Sequence, residues 1–400
     1  MKALLPKIKF KNFDEKWNRK KLHSIAPLRG GFAFKSEKFQ NTGIPVVRIS
    51  NIKFDGTVGG EFEYYSKIIP DEKFVLRGRS ILLAMSGATT GKIAMLDSEK
   101  EYYQNQRVGY FQNTGEVDYD FLPSVLQTKA FTNQLNAVLV AGAQPNISSK
   151  EIDSFEFCIP DSIDEQSAIG SLFRTLDDLL ASYKDNLINY QSLKATMLSK
   201  MFPKAGQTVP EIRLDGFEEE WGKDTLEPYL TESRISGDTG LTAKKITVKL
   251  WGKGVIEKKE KYAGSSNTQY FIRKGGQFIY SKLDFQNQAF GIIPNELNGY
   301  QSTLDLPTFD IQNIDSKFLL EYVMRREFYE YQGLIANGSR KAKRIHPEDF
   351  LVMPVRIPSI EEQQAIGAYF SNLDNLINSH QEKITQLETL KKKLLQDMFI

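Results

Sequence analysis

The stretch IPDSIDEQSAIGSLFRTLDDLL runs from Ile159 to Leu180, and IPSIEEQQAIGAYFSNLDNLI runs from Ile357 to Ile377. Set 197 residues apart, Glu165 falls on Glu362, Gln166 on Gln363, Gly170 on Gly367 and Asp177 on Asp374. Met201-Phe202 falls on Met398-Phe399 at the same offset. The apolar positions of the first copy are Ile169, Phe173, Leu176, Leu180, Tyr183, Leu187 and Tyr190; those of the second are Ile366, Phe370, Leu373, Ile377, His380, Ile384 and Leu387. Both sets step alternately by four and three, the rhythm of a coiled-coil seam. Each stretch is therefore expected to be a long helix of roughly 50 Å. Two matched helices in one chain are expected to pair with each other, antiparallel, as a rigid rod. Lys194 and Lys391 interrupt the seam at the same place in both copies. A charged seam residue lowers stability, so this pair is read as setting register or marking where the helices splay.

The repetition reaches beyond the helices. LPKIKFKNFDEKW (Leu5–Trp17) matches VPEIRLDGFEEEW (Val209–Trp221), with Pro6, Ile8, Phe13 and Trp17 on Pro210, Ile212, Phe217 and Trp221. Each half thus runs from a Pro-to-Trp opening through a variable block to a helix. The junction PKAGQTVP (Pro203–Pro210) has linker composition. Within the blocks, GIPVVRISNI, RSILLAMSG, QRVGYFQN and FEFCIP in the first, and KKITVKLWG, QYFIRKGGQFIYSK and FLVMPVRIP in the second, are short, β-branched or aromatic runs bounded by turn residues. Helical pieces, DFLPSVLQTKAFTNQLNAVL and SKFLLEYVMRREFYEYQGLI, come late in each block. The expected fold class is α+β: two strand-rich domains in tandem at 1–160 and 204–358, each followed by a helix, at 161–203 and 359–400.

Several chemistries find no support in the residues. SGATTGKI (Ser86–Ile93) hints at a phosphate loop, but three residues rather than four separate Gly87 from Gly91, and Ile93 stands where the Mg²⁺-binding hydroxyl belongs. A strand–turn–strand is the expected structure there. His23, His346 and His380 form no metal-binding spacing, and there is no Cys pair and no nucleophile elbow. No metal site and no catalytic residue are expected. The single Cys158, in FEFCIP, is expected to be a buried packing residue, and one cysteine suits a reducing cytoplasm. No run of residues is apolar enough for a membrane span or a signal peptide.

Binding chemistry fares better. The chain carries 52 Lys+Arg and 50 Asp+Glu, but residues 1–50 hold 12 basic against 3 acidic side chains. Such a local excess permits a polyanion partner. GFAFKSEKF (Gly31–Phe39) interleaves aromatic and basic residues, and YYQNQRVG packs Gln104, Asn105, Gln106 and Arg107 together. Amides and arginine can each bond two atoms on one base edge. AGAQPNIS adds Gln144 and Asn146 on a loop, and NGSRKAKRIHP supplies Arg340, Lys341, Lys343 and Arg344, a density suited to phosphates.

These segments, in this order and with the duplicated DEQSAIG and EEQQAIG helix openings, resemble the specificity (S) subunits of type I restriction–modification enzymes along essentially the whole chain. GFAFKS, GIPVVRISNI, LLAMSGATTGK, QNQRVG and GAQPNIS carry the resemblance in the first half. KLWGKGV, GGQFIYSKLDFQNQAFG and STLDLPTFDI carry it in the second. The resemblance implies a non-catalytic subunit in which each variable block reads one half of a split target in double-stranded DNA. An antiparallel coiled coil would set the gap. It implies two methyltransferase (M) subunits docked on the scaffold and two translocase/nuclease (R) subunits completing the enzyme, in the cytoplasm. S-adenosylmethionine, ATP and Mg²⁺ would belong to those partners, with no cofactor in this chain. Candidate DNA contacts are then Lys35, Ser86, Gln104, Asn105, Gln106, Arg107, Gln144 and Asn146 in the first block. Ser281, Lys282, Arg340, Lys341, Lys343 and Arg344 are candidates in the second, which lacks a GAQPNIS equivalent. The alternative is a non-catalytic scaffold that binds protein through two domains on a helical spacer, and a third reading is an enzyme built on SGATTGK.

Overall fold

The computed structural model describes residues 6–141, 146–259, 265–334 and 344–400. The fold is mixed α/β, and the chain forms two compact units: residues 1–183 with 382–400, and residues 184–381. The units do not follow the helix boundaries. They divide each long helix, Ile163–Lys200 and Ile360–Asp397, between them.

The first unit holds two four-stranded sheets. In one, Leu28–Arg29, Val108–Phe111, Ser80–Ala84 and Ile93–Leu96 lie side by side, all antiparallel. Ser80–Ala84 is buried at every position, as a central strand must be when both faces are covered. In the other, Glu63–Tyr65, Ile44–Val47, Tyr102–Gln104 and Val75–Leu76 are neighbours, with one parallel pair, Ile44–Val47 beside Tyr102–Gln104. A separate ribbon joins Asn18–Lys21 to Glu156–Ile159. Cys158, expected to be buried, is half-buried there, because a two-stranded ribbon leaves part of one face to solvent.

The second unit repeats the ribbon, Gly222–Thr225 with Pro354–Ile357, but arranges its remaining strands differently: one four-stranded sheet, one three-stranded sheet and a hairpin. Its core is aromatic, built on Phe278, Tyr280, Phe285, Phe290, Phe309 and Phe350.

The repeated residues of the sequence occupy matching positions in the two units. Phe202, carried by the end of the first long helix, meets Trp221, Phe318 and Phe370 in the second unit, with ring centroids 5.7–6.1 Å apart. Phe399 meets Trp17, Phe121 and Phe173 in the first unit at 5.8–6.0 Å. The Ile212 N–H donates to Lys200 O and the Ile8 N–H to Asp397 O, both at 3.0 Å. Gly170 and Gly367 explain the shared AIG. A Cβ on Gly170 would lie 2.8 Å from the backbone at Asp120–Phe121, and one on Gly367 would lie 2.6 Å from the Asp315 carboxylate. Only glycine lets the helix approach so closely.

The two interrupting lysines find equivalent partners. Lys194 Nζ donates to Asp374 at 2.7 and 2.8 Å and to Glu321 at 3.1 Å, within the second unit. Lys391 Nζ donates to Asp177 at 2.5 Å and also to Gln127, within the first unit. Burial would lower the Lys194 pKa, but the charge of Glu321 and the hydrogen bond to Asp374 outweigh it, and the net shift is upward. Of the expected seam, Ile169, Phe173, Leu176, Leu180, Ile366, Phe370, Leu373, Ile384 and Leu387 are buried, while Leu187 and Ile377 are half-buried.

The EQ pair that opens each helix is an anchor. Gln166 accepts from the Asp118 N–H at 2.8 Å and donates to Pro160 O at 2.7 Å; Gln363 does the same with Asp315 and Pro358 at 3.0 and 2.9 Å. The neighbouring glutamates differ. Glu362 takes a two-point bond from Arg213 at 2.8 and 2.7 Å. Glu165 accepts only Trp17 Nε1, at 3.2 Å, and its buried Oε2 has no partner. Lys9, at the sequence place of Arg213, bonds Asp14 instead. Burial consequently raises the Glu165 pKa.

A carboxyl with a raised folded-state pKa stabilises most when protonated, and that stability is lost as pH rises through the folded value. Glu165→Gln should therefore raise the unfolding temperature of the first unit at pH 7, with the gain vanishing toward pH 4. Glu362→Gln should destabilise the second unit, by about 3 kcal/mol, because it leaves Arg213 without its buried counter-charge. Calorimetry of both variants across pH checks the contrast.

Candidate nucleic-acid interface

In the first unit, four segments converge. The Phe32 N–H donates to Gln104 O at 2.9 Å, the Met85 N–H to Arg107 O at 2.9 Å, the Ile147 N–H to Met85 O at 2.9 Å, and the Asn105 N–H to Val47 O at 3.0 Å. The strand register thus gathers residues 30–35, 85–92, 104–107 and 146–149 at one edge. A Cβ on Gly31 would lie 2.1 Å from Asn105 O, so the first of these segments needs its glycine.

Within this cluster the candidate side chains separate sharply. Gln106 and Arg107 project from the turn between Tyr102–Gln104 and Val108–Phe111 and are exposed, as are Lys35 and Asn146. Asn105 is half-buried, and its Oδ1 accepts from the Arg107 N–H at 3.4 Å. Gln104 does not belong among base-reading residues. It is fully buried, donates to Arg29 O and Val108 O at 2.8 and 2.7 Å, and accepts from Arg29 Nε at 3.1 Å. Its amide has nothing left to offer a ligand. Arg29, held by Gln104, Glu72 O and Val75 O and stacked over Tyr110, is likewise structural, and burial lowers its pKa. Ser86 is buried at the strand end. Gln144 lies outside the described residues.

SGATTGKI is a strand–turn–strand. Gly87 and Gly91 take φ of +79° and +82°, and the Gly91 N–H closes the turn on Ala84 O at 2.8 Å. Lys92 Nζ sits 5.0 Å from the centre of the Phe54 ring. Neither residue was among the sequence candidates. The available cue was a lysine directly after a turn glycine.

In the second unit, Ser281 is buried and its hydroxyl donates to Asp284 at 3.1 Å. Lys282 is half-buried, and burial lowers its pKa against the opposing charge of Asp305. Arg344 Nε reaches Asp305 at 3.4 Å. Arg340, Lys341 and Lys343 lie outside the described residues. Among the described residues no cluster of three or more His, Cys, Asp or Glu could hold a metal ion. None of the helices described is long and apolar enough to cross a membrane.

Comparison with known proteins gives this arrangement a family. The family model of the type I restriction modification DNA specificity domain matches residues 14–190 and again residues 228–389. The specificity subunit of the type I restriction enzyme MjaVIII from Methanocaldococcus jannaschii is 27% identical over 177 residues, which are 42% of this chain and 40% of that relative. The match therefore spans less than half of that protein's length. The crystal structure of the S subunit of a type I restriction–modification system from M. genitalium aligns with a TM-score of 0.62, covering 99% of both chains at 14% identity. At that identity the likeness establishes a shared fold.

Removing the buried amide should affect folding. Gln104→Ala removes a buried partner of Arg29 Nε and of two carbonyls and should cost about 1–3 kcal/mol in urea unfolding. Arg107→Ala should stay within about 0.5 kcal/mol of the parent and weaken binding to duplex DNA.

Proposed function

We propose that this chain, which belongs to the type I restriction–modification DNA specificity family, is the DNA-reading subunit of such a system and recognises a split target with one unit for each half. The observation that carries this is the duplication. The same anchors occur twice: the Gln clamp, the glycine approach, the terminal Phe and the lysine bridge. The strand arrangements between them differ. Shared anchors suit identical partners docking twice, and diverged loops suit two different half-sites.

The long helices act, on this reading, as an antiparallel coiled coil that sets the gap. The two lysine bridges support it: the late-helix Lys194 meets the early-helix Asp374, and the late-helix Lys391 meets the early-helix Asp177. Two methyltransferase subunits dock on the scaffold, and two translocase/nuclease subunits complete the enzyme. Base methylation with S-adenosylmethionine, and ATP- and Mg²⁺-dependent cleavage, reside in those partners. This chain contributes recognition and spacing.

Mapping adenine methylation across the source genome, with the gene intact, disrupted, or shortened by one heptad in both helices, tests the proposal. Disruption should erase one split motif. The shortened allele should leave both halves unchanged and shorten the gap by roughly 3 base pairs, since seven helical residues rise about 10 Å and base pairs stack about 3.4 Å apart. An unchanged map on disruption would contradict the reading.

A further inference from the structure

Two of the three tryptophans, Trp17 and Trp221, are 1% and 2% exposed; Trp251 is 56% exposed. It stands at the tip of the hairpin between Ile246–Val248 and Val255–Glu257, in KLWGKG. Its backbone takes φ +60°, a left-handed conformation that bulky residues avoid. The tip is nonetheless fixed. The Lys249 N–H closes on Gly254 O at 2.8 Å, the Trp251 N–H donates to Asn287 O at 2.8 Å, and the Gly252 N–H donates to Gln288 O at 3.0 Å. Gly252, which follows it, also takes a left-handed φ of +64°, a conformation that favours glycine. Strain and exposure at one rigidly held aromatic mark a functional position rather than a packing one. Lys249 and Lys253 flank it, both exposed, and no acidic residue lies in the tip.

The first unit has a counterpart. Phe54 is 72% exposed on the tight loop between Ile52 and Val58. The Lys53 N–H bonds Thr57 O at 3.0 Å, and the one acidic side chain of the loop, Asp55, accepts from the Thr57 N–H and hydroxyl at 3.0 and 2.6 Å. Lys53 and Lys92 are the basic neighbours, Lys92 lying over the ring.

A fixed, exposed aromatic between two lysines matches a ligand that offers flat apolar faces next to negative charge. We propose that Trp251 and Phe54 are aromatic wedges that pack against bases of the bound DNA, one in each unit, while the flanking lysines meet the adjacent phosphates. This rests on the DNA-reading function proposed above and adds residues and a mode of contact to it.

The test uses the full chain and a fluorescently labelled duplex carrying the split motif found by methylation mapping. Binding is followed by anisotropy, and Trp251 by the difference in indole emission and acrylamide quenching between wild type and Trp251→Phe. DNA should quench Trp251 and shield it from acrylamide. Trp251→Ala and Phe54→Ala should each bind about ten-fold more weakly, with the salt dependence unchanged because no phosphate contact is lost. Trp251→Gly relieves the left-handed strain, so it should melt no lower than wild type while binding as weakly as Trp251→Ala. A merely structural tryptophan would show the reverse. If DNA binds with Trp251 emission and accessibility unmoved and the variants bind as wild type, the wedge is wrong and the DNA-reading function stands. No binding by wild type would overturn both.

Discussion

Each unit is completed by a helix end that the linear order of the sequence assigns to the other repeat. The first unit requires Lys391, Met398 and Phe399, and the second requires Lys194, Met201 and Phe202. The lysine bridge is the most demanding of these contacts. An ammonium taken partly out of water must find carboxylates in the right place, and Asp374 and Asp177 each supply one from the other long helix. On the coiled-coil reading proposed above, an apolar seam tolerates slippage by a heptad whereas a half-buried charge does not, and the bridge specifies register at a cost in stability.

Function follows from what this constraint leaves free. With the helix anchors pinned by the Gln clamps, by glycine contact and by lysine bridges, the edge loops can change without disturbing the frame. The first unit uses that freedom to set Gln106 and Arg107 on a turn held at both ends by backbone bonds. The second uses it to rebuild its sheets around an aromatic core and to hold Trp251 in a backbone conformation it would not choose alone.

Much of this was legible because a repeat makes its own control experiment. Residues that recur at fixed separation, Gly170 with Gly367 or Lys194 with Lys391, announced a shared structural demand before any contact was visible. Two things were not legible. The exchange of helix ends is a tertiary choice: Met201-Phe202 follows the first helix in sequence, and nothing in its composition says which core it fills. The direction of individual side chains was equally hidden. In the run QNQR, Gln104 turns inward to Arg29 while Gln106 and Arg107 turn out, because the strand ends at Gln104 and, after the bridge residue Asn105, the turn begins at Gln106. Amide chemistry is identical on either side of that boundary. The burial of the candidate contacts Ser86 and Ser281 was hidden for the same reason, each lying where a buried strand has just ended.

The most direct measurement of the central claim is a charge exchange at the second unit's bridge. Lys194→Asp and Asp374→Lys, made singly, each set like charges together and should lower the urea midpoint. The double variant should recover part of the loss, since the carboxylate placed at position 194 still faces Glu321, with a coupling energy of about 1–2 kcal/mol. Additive losses in the double variant would mean that the lysine does not read its aspartate, and that the register of the two helices is set by something else.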